Sequence, residues 1–417
     1  MLRTNTLELK PNKQQQWILK EMLVRSSAIR NVRNYHRRQA FFDGNIKNPC
    51  YSSQCKKIKN HDLYKELGSA YSQQILKKLD KSWQFFWNSL KSDNINHKVS
   101  IPSYFKNYKT NQTLPKLLIC RNDCYRIDKH YIHISCSKDL KQKFGIKGLL
   151  NIKYNGVRKW KNKQSQMEIK YIPHTKKFYA YQSENVEPTP IKKREENICS
   201  IDLGIKRYMS VYIKNSKNIN LTYESEHIFQ EYISLTKKIA YYSSKAKKEN
   251  NKYSTKRIQR LYLKRKRKLS NYLNNIIAHL FRKLEQYEVS KIIMGDLNGI
   301  RDSMIPNHFR NKKKINQMIQ NFWSYDLFLR KIENKCQEHE IKLILINESY
   351  TSSVCPICNE RVKPNDRRFK CKNCNYEQDR DVVGSINLLK KYYHDHHKTD
   401  DSRVENYPLV SKVCIES

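Results

Sequence analysis

The chain shows two different spacings of apolar and polar positions, and they divide it into regions. The first residues, LRTNTLELK, alternate as in a strand, and a turn marked by proline follows. From Gln15 to about Gln112 the apolar positions recur at helical spacing, which predicts a mostly helical region. One stripe in this region repeats every four residues and predicts a packed bundle core more than a base-stacking surface: Tyr71, Ile75, Leu79, Trp83 and Trp87.

Short alternating runs replace the helical spacing between Thr113 and Val186, among them YRIDKHYIHIS, LLNIKY and KFYAYQ. They predict a small antiparallel β module, and the first strand is expected to join it because an isolated strand must pair. The charged, proline-containing segment EPTPIKKREEN then predicts a linker. The predicted limits are 1–12 and 113–190 for the β module, 13–112 for the helical insertion and 191–197 for the linker.

Strands alternate with helices after the linker, which predicts an α/β sheet. ICSIDLGIKRYMSVYI predicts two strands joined by a tight turn, and KIIMGDL and IKLILIN predict two further strands. A charged helical region runs from about Glu226 to Tyr287, and DVVGSINLLKKYY predicts the last helix. A further helix is expected around Met318, Phe322, Trp323 and Leu327. The α/β domain is assigned to 198–350 and 379–395, and residues 396–417 are predicted to form a poorly ordered tail.

The charge balance narrows the class of partner. Lys and Arg number 82 against 39 Asp and Glu, a surplus of 43 that predicts a polyanion such as nucleic acid. A membrane surface is disfavoured, because neither a long apolar run nor a clear amphipathic segment is present. Basic residues are densest in KRIQRLYLKRKRK and HFRNKKK, although a single charge run is usually only a solvated helix face.

The cysteines point to a metal. CPIC and CKNC form C-x2-C-x12-C-x2-C, the spacing of a tetrahedral zinc site with the ligands Cys355, Cys358, Cys371 and Cys374. Disulfides are disfavoured because the absence of a signal-like apolar run indicates a reducing compartment, and a redox site needs only one such pair. Four thiolates leave no open position, so the predicted zinc is structural. Cys120 and Cys124 are interpreted as ordinary thiols, and His394, His396 and His397 as tail composition.

Acidic residues follow several predicted strands. Asp202 lies in an apolar strand, Asp296 and Glu348 follow two others, and Asp381 precedes the last helix. Each has an ordinary explanation, since acids often cap turns or helices. Together, at the ends of separate elements of one α/β sheet, they suit two divalent cations that promote attack on a phosphodiester. Carboxylate oxygens favour Mg²⁺ or Mn²⁺.

SIDLGIKRYMSV, KIIMGDLNGIR, INESYTSSVCPICNE and CKNCNYEQDRDVVGSINLL, in this order, resemble the TnpB transposon nucleases and the related Fanzor proteins. The resemblance is close from about Ile198 to Leu389. It implies a multidomain α+β protein: an RNase H-like (RuvC) nuclease domain, an inserted zinc ribbon at 351–378, and an N-terminal β-barrel-like, wedge-like module with a helical insertion.

The resemblance also implies site residues. Asp202 matches the first catalytic acid and Asp381 the last, with Asp379 as the fallback, although DVVGS departs from the usual D-x-N-A. Gly295 occupies the position of the second acid, a Glu in most TnpB proteins. Glu348, ahead of the TS-x-x-C run, matches a relocated Glu of Fanzor-like members, so Asp202, Glu348 and Asp381 are the expected Mg²⁺ ligands and catalytic residues.

The function implied is an RNA-guided DNA endonuclease that carries a guide RNA from its own mobile element. It would cut double-stranded target DNA beside a short adjacent motif, as a monomer in a ribonucleoprotein without a membrane partner. Zn²⁺, Mg²⁺ and the guide RNA are the implied cofactors, and the site of action is the nucleus for a eukaryotic or viral chain and otherwise the cytoplasm. Two alternatives stay open: an inactive RNA-guided DNA-binding protein, for which Gly295 is the best argument, and a DNA strand transferase.

Overall fold

The computed structural model describes residues 1–44, 51–91, 99–204, 207–251, 253–297, 322, 324–348, 351–363, 367–396 and 410–413. The chain forms two compact units, Met1–Val186 and Glu187–Ser417. In the described residues, every helix is too short or too polar to cross a lipid bilayer.

The first unit combines a seven-stranded antiparallel sheet with helices. Its strands are β1 (Leu2–Leu9), β2 (Leu118–Cys120), β3 (Tyr125–Ile127), β4 (Tyr131–Ile134), β5 (Leu150–Asn155), β6 (Lys163–Ile172) and β7 (Lys177–Asn185), in the order β2-β6-β7-β1-β5-β4-β3. The N-terminal strand β1 pairs with β7 along its whole length and with β5 at its end, as expected for a lone strand.

The helices of the first unit are α1 (Lys13–Phe42), α2 (Tyr51–Ile58), α3 (Asp62–Leu67), α4 (Ser69–Lys91) and α5 (Lys138–Phe144). A capping box between Asn12 and Gln15 begins α1. The predicted apolar stripe of α4 is confirmed as core, since Tyr71, Ile75, Leu79 and Trp83 are at most 3% exposed. Trp87 is half-buried and packs beside them.

The buried face of α1 is unusually polar because its side chains bind the backbone of the extended segment 102–105. Arg30 donates to the carbonyl of Ser103 (2.8 Å) and Asn34 to that of Pro102 (2.7 Å). Asn31 accepts from the backbone N–H of Phe105 (2.7 Å). These side chains satisfy backbone groups that have no strand partner, so the segment stays attached to the helix.

The second unit contains a sheet of order β12-β11-β8-β9-β10-β15. Its strands are β8 (Arg194–Leu203), β9 (Arg207–Lys214), β10 (Ile219–Glu224), β11 (Val289–Asp296), β12 (Lys342–Asn347) and β15 (Val410–Val413), and a small hairpin has β13 (Arg368–Lys370) and β14 (Glu377–Asp379). β8, β11 and β12 are parallel, whereas β9 is antiparallel to β8 and to β10. The helices are α6 (Glu226–Asn250), α7 (Lys256–Gln286), α8 (Tyr325–His339) and α9 (Arg380–His396).

Three predicted limits are wrong or incomplete. β8 begins at Arg194, inside the segment predicted as a linker, because the Arg194 amide donates to Glu288 and its guanidinium pairs with the same residue. Residues 410–413 of the predicted tail form β15, which pairs in parallel with β10 at the sheet edge. The helix expected near Met318 begins at Tyr325, while Met318 and Trp323 lie outside the described residues.

Candidate functional site

The four cysteines lie together as a ligand set. Their sulfur atoms are all within 4.8 Å of one another, and the Cys355–Cys374 and Cys358–Cys371 sulfur distances are both 3.5 Å. Such spacing suits one tetrahedral ion with metal–sulfur bonds of about 2.3 Å. Backbone N–H groups, chiefly that of Glu360, lower the pKa of Cys358 to about 6 and favour its thiolate. The cluster therefore fits a structural zinc ion.

Each cysteine turn ends on an asparagine in the left-handed backbone region. Asn359 has φ 60° and Asn375 has φ 56°, and each directly follows the second cysteine of its turn. Asparagine enters this region more readily than most residues because its side chain bonds locally. The repeated pattern CPICN and CKNCN was the available sequence signal for these two positions.

The segment that contains the four cysteines is attached to the start of α9. Val383 packs with Cys355, Phe369 and Cys371 in one buried cluster. The side-chain amide of Asn387 donates to the carbonyls of Thr351 and Val354, both at 2.7 Å. The two cysteine turns and the first turns of α9 therefore pack together as one assembly.

The predicted carboxylates lie at the same edge of the main sheet. Met294 of β11 pairs with Ile201 of β8, so Asp202 stands beside Gly295. Gly295 in turn pairs with Ile346 of β12, and Glu348 lies just past the end of that strand. Because these three strands are parallel, their carboxyl ends meet, as the sequence predicted.

Gly295 leaves the space that the Glu348 side chain occupies. A Cβ atom added at position 295 would overlap Oε2 of Glu348 and lie 3.1 Å from its Cβ and Cδ. Oε2 of Glu348 is buried and has no hydrogen-bond partner among the described residues. An acceptor left without a donor is costly, which makes it a natural ligand for a cation.

A second glycine, Gly384, leaves space for the side chain of Asp202. A Cβ added at Gly384, in the first turns of α9, would lie 2.5 Å from Oδ2 and 2.9 Å from Cγ of Asp202. The Ser200 hydroxyl donates to the carbonyl of Ser385 (2.6 Å) and holds α9 against β8. Gly384 was not identified from the sequence. The available signal was that DVVGS departs from the usual D-x-N-A pattern at this position.

Burial and neighbouring acids raise the pKa values of all three carboxyl groups. Burial raises the pKa of Asp202 well above its ordinary value, and the charges of Glu348 and Asp381 raise it further. Burial and the nearby Asp296 raise the pKa of Glu348 to about 7. Burial and Asp379 raise the pKa of Asp381. Bound cations would offset this repulsion.

The three carboxylates are less closely grouped than the cysteines. Among the described residues, only the cysteine set brings three or more possible ligand atoms all within 4.8 Å. Two-metal sites hold their ions about 3.5–4 Å apart, so their ligands are also spread. The arrangement suits cations placed between the three acids.

A buried arginine also reaches this site and was missed in the sequence. Arg207, at the start of β9, pairs with Glu224 (2.8 Å) and Asp379, and its Nη1 lies 3.6 Å from Oδ2 of Asp381. Asp379 accepts a hydrogen bond from the backbone N–H of Asp381 (3.0 Å). Asp379 is thus held by Arg207 and stabilises the start of α9.

The other sequence candidates lie elsewhere. Cys120 and Cys124 are buried in the core of the first unit. His394 is exposed near the end of α9, and His397 lies outside the described residues. KRIQRLYLKRKRK forms the exposed start of α7, and HFRNKKK falls on residues that are not described.

The segment that contains the four cysteines carries a basic groove. A pocket of about 730 Å³ has five cationic residues in its lining, namely Arg361, Lys363, Arg368, Lys370 and Lys372. Glu360 contributes an acid to the same lining. The groove is therefore suited to a polyanion.

Comparisons with known proteins match this architecture. A family model described as a probable transposase matches residues 179–301, and a Cas12f1-like TNB domain matches 325–388. A TnpB-like protein, ORF457 of Acidianus two-tailed virus, is 28% identical over 93% of this chain and 86% of its own. A putative transposase of Methanocaldococcus jannaschii, MJ0856.1, is 37% identical over 16% of this chain and 69% of its own.

One solved structure shares the fold. It is a Cas12f1–sgRNA–target DNA complex, whose protein superimposes with a TM-score of 0.57 over 90% of this chain and 83% of its own, at 13% identity. At this identity the likeness concerns the mixed α/β multidomain fold alone.

Proposed function

The chain belongs to the TnpB family, and from this premise we propose that it is an RNA-guided DNA endonuclease with a Mg²⁺-dependent site at Asp202, Glu348 and Asp381. The guide RNA would derive from the chain's own mobile element, and the DNA would be cut beside a short adjacent motif. The protein would act as a monomer within a ribonucleoprotein.

One observation carries the proposal: acids from β8, β12 and α9 converge where two glycines leave space for them. Gly295 gives room to Glu348, and Gly384 gives room to Asp202. Gly295 was the main argument for an inactive protein, whereas the space it provides for Glu348 supports an active one. Clustered carboxylates with raised pKa values are expensive to keep in a fold without a cation.

The sheet supports a RuvC-like, RNase H-type interpretation of the second unit. β8, β9 and β10 follow one another as antiparallel neighbours, while β11 and β12 continue the sheet in parallel on the other side of β8. The strand order of the first unit supports the predicted barrel-like module with its helical insertion. The four cysteines lie between β12 and α9, which supports the proposed zinc ribbon.

The hard oxygen ligands of this site suit Mg²⁺, or Mn²⁺, better than a softer metal. Bound there, Mg²⁺ would polarise the scissile phosphate and lower the pKa of an attacking water. Asp202, Glu348 and Asp381 would hold the cations, and Arg207 would keep Asp379 in position at the start of α9. The positive surplus of 43 charges supports guide RNA and target DNA as partners, because phosphate contacts supply most of such affinity.

Alanine substitutions test the carboxylate site. Asp202→Ala and Glu348→Ala are each expected to lower the cleavage rate by at least about 10²-fold, with guide RNA affinity unchanged, because the acids hold cations and not the guide. Asp395→Ala is the matched control, since Asp395 is an exposed acid near the other end of α9. Cleavage of a matched target and filter binding of the RNA are measured in parallel.

The same assay separates the rival functions. Stable target binding without cleavage in Mg²⁺ or Mn²⁺ would indicate an inactive guided DNA-binding protein. Joined products instead of cut ends would indicate strand transfer. Full activity of Glu348→Ala would shift the second acid to Asp296.

A further inference from the structure

A cationic pocket lies in the helical part of the first unit, whereas the carboxylate site belongs to the second unit. It measures about 530 Å³ and is formed by α1, α4 and the segment 100–103, and we call it the α1–α4 pocket. This volume falls within the usual range of ligand pockets, about 300–1,000 Å³. Its lining includes three cations, an exposed ring and two of its serines: Arg30, Lys78, Lys81, Phe85, Ser82 and Ser103.

Arg30 is a buried cation that pairs with no carboxylate among the described residues. It is 5% exposed, and among the described residues its only hydrogen bond uses Nη1, which donates to the carbonyl of Ser103. The guanidinium lies 3.9 Å from the ring centroid of Phe105, which holds its plane in place. Burial lowers the pKa of Arg30 to about 10, so the charge is destabilised where it stands. An anion in the pocket would compensate for this burial.

The nearby acids do not neutralise the pocket. Asp80 of α4 is paired with the buried Arg37 and accepts a hydrogen bond from Gln84. Glu168 pairs with Lys78 at 2.8 Å. Among the described residues, Lys81 has no ion-pair partner and is exposed at the pocket wall. Arg30 and Lys81 therefore leave a net positive charge in the pocket.

Phe85 adds an apolar surface to this charge. Its side chain is 73% exposed, and no other described aromatic ring stacks on it. An exposed ring next to unpaired cations is the combination that binds single strands, because a base stacks on the ring while the phosphate meets the cation. An acidic peptide would use the cations but leave the ring without a partner.

We infer that the α1–α4 pocket binds one unpaired nucleotide of a nucleic-acid strand, with its phosphate against Arg30 and Lys81 and its base against Phe85. The choice of a nucleic acid rests on the proposed function. Guide RNA and target DNA offer the same phosphodiester and base, so the test uses both.

Photocrosslinking tests the contact with Phe85. The full chain, freed of RNA and kept without Mg²⁺, is irradiated with oligonucleotides of about 12 nucleotides that carry one 5-iodouracil, a length within known single-strand site sizes. RNA and DNA versions are used separately. A crosslinked peptide that contains Phe85 is expected, and its yield should fall at least about fivefold in Phe85→Leu, the loss that one stacked base entails.

Trp17→Leu is the matched control, because Trp17 is equally exposed (74%) in the same unit but does not line the pocket. Its crosslinking pattern at Phe85 should equal that of the parent. Crosslinking in the RNA arm alone would identify a guide-type strand and in the DNA arm alone a target strand. Absence of the Phe85 peptide from both arms, or an unchanged yield in Phe85→Leu, would overturn the inference and leave a protein occupant.

Salt dependence tests the phosphate contact. Lys81→Gln is expected to reduce the slope of log affinity against log salt by about 0.7, the value for one phosphate on a single strand. Lys77→Gln, one turn away on α4 and outside the pocket lining, should leave the slope unchanged. Equal slopes for the two variants would contradict the assignment. Because these measurements need no cleavage, target cutting assayed separately with Mg²⁺ distinguishes failure of the pocket from failure of the proposed nuclease.

Discussion

The Glu348 side chain fills the volume that a side chain at position 295 would need, at the ends of β11 and β12. A Cβ atom at position 295 would overlap the carboxylate of Glu348, so these neighbouring positions depend on each other. Residues that share one space show non-additive substitution effects. The identity of residue 295 therefore determines where a carboxylate fits.

Gly295→Ala is expected to lower the cleavage rate by at least about tenfold, because the added methyl displaces the Glu348 carboxylate by more than the tolerance of a catalytic constellation. Guide RNA affinity should not change. Cleavage kinetics and RNA binding of the variant are compared with the parent.

Gly295→Glu alone is expected to be inactive, whereas Gly295→Glu combined with Glu348→Ala should cut faster than either single variant, because the overlap is removed and one carboxylate is restored. If the double variant were as inactive as the product of the single effects predicts, the shared-volume account would be wrong.

The raised pKa of Glu348, about 7, makes the stability of the Mg²⁺-free protein depend on pH. The folded state holds this proton more tightly than the unfolded chain, whose ordinary pKa is 4.5, so stability falls as pH rises from about 4.5 to 7. Glu348→Gln removes this loss. Its melting temperature should exceed that of the parent at pH 8 by roughly 2–4 °C, the shift that about 1 kcal/mol produces.

The pH dependence of this gain in melting temperature tests whether ionisation of Glu348 causes it. The gain of Glu348→Gln should shrink towards pH 5, where the parent carboxyl is protonated, while Glu333→Gln on the exposed face of α8 should show no such trend. Thermal scans without added Mg²⁺ between pH 5 and pH 8 provide the measurement. A gain that is constant across this range would contradict the assignment.

Sequence reasoning selected the acids of the proposed site and the cysteines, but not the residues that contact the acids. Asp202 and Glu348 were selected because strand ends and the order of the motifs can be recognised in the sequence itself. Gly384 and Arg207 act through space, on partners 182 and 174 positions away (384 − 202 and 381 − 207), and no local pattern encodes such pairs. Glycine and arginine are also common in turns and on surfaces, so neither type is informative alone.

At the level of elements, α9 connects the two metal-related sites. Val382 and Ile386 pack on the sheet, while Val383 packs on the cysteine turns. Asp381 lies in the same first turn, so loss of the zinc ion should also displace a carboxylate. The cysteine site is therefore coupled to the carboxylate site through one helix.

Cys371→Ser is expected to abolish zinc binding, lower the melting temperature by several degrees and reduce cleavage, because structural zinc contributes folding free energy. Cys336→Ser is the control: Cys336 is a buried thiol of α8, and its substitution should cost about 1–3 kcal/mol without loss of zinc. Elemental analysis, thermal scans and cleavage are measured on both variants. Normal stability of zinc-free Cys371→Ser would refute the structural role.

Element prediction succeeded where one face is apolar and failed where polar groups do the packing. The stripe of α4 was evident, but the buried face of α1 contains Arg25, Arg30, Arg33 and Arg37, which a hydrophobic pattern assigns to solvent. The strand β15 was missed because its partner β10 lies about 190 positions earlier (410 − 220) and its four residues, VSKV, are too few to show an alternating pattern.

At the scale of the molecule, each unit has a hydrophobic core of its own. The core of the first unit includes Leu7, Leu19 and Ile75, and that of the second includes Ile201, Leu273 and Phe328. Units with separate cores commonly unfold as separate cooperative transitions. The boundary between the units, after Val186, falls where the proline-containing charged segment begins.

Calorimetry of the full chain should therefore show two transitions. A zinc chelator is expected to lower the transition of the second unit, which contains the cysteines, and to leave that of the first unit unchanged. The Lys77→Gln variant, substituted in the first unit, serves as the reference: the chelator should leave its first-unit transition unchanged. A single transition that moves as a whole with chelation would contradict independent cores.

The shared volume at Gly295 also limits how such a site can evolve. A lineage that carries Glu348 cannot gain a glutamate at position 295 before it loses Glu348, because the two side chains exclude each other in this geometry. Under the proposed function, the path between the two arrangements would pass through a chain with neither acid, which would bind nucleic acid without cutting it. Such a chain would keep the fold and the cysteine site while its cleavage site is incomplete.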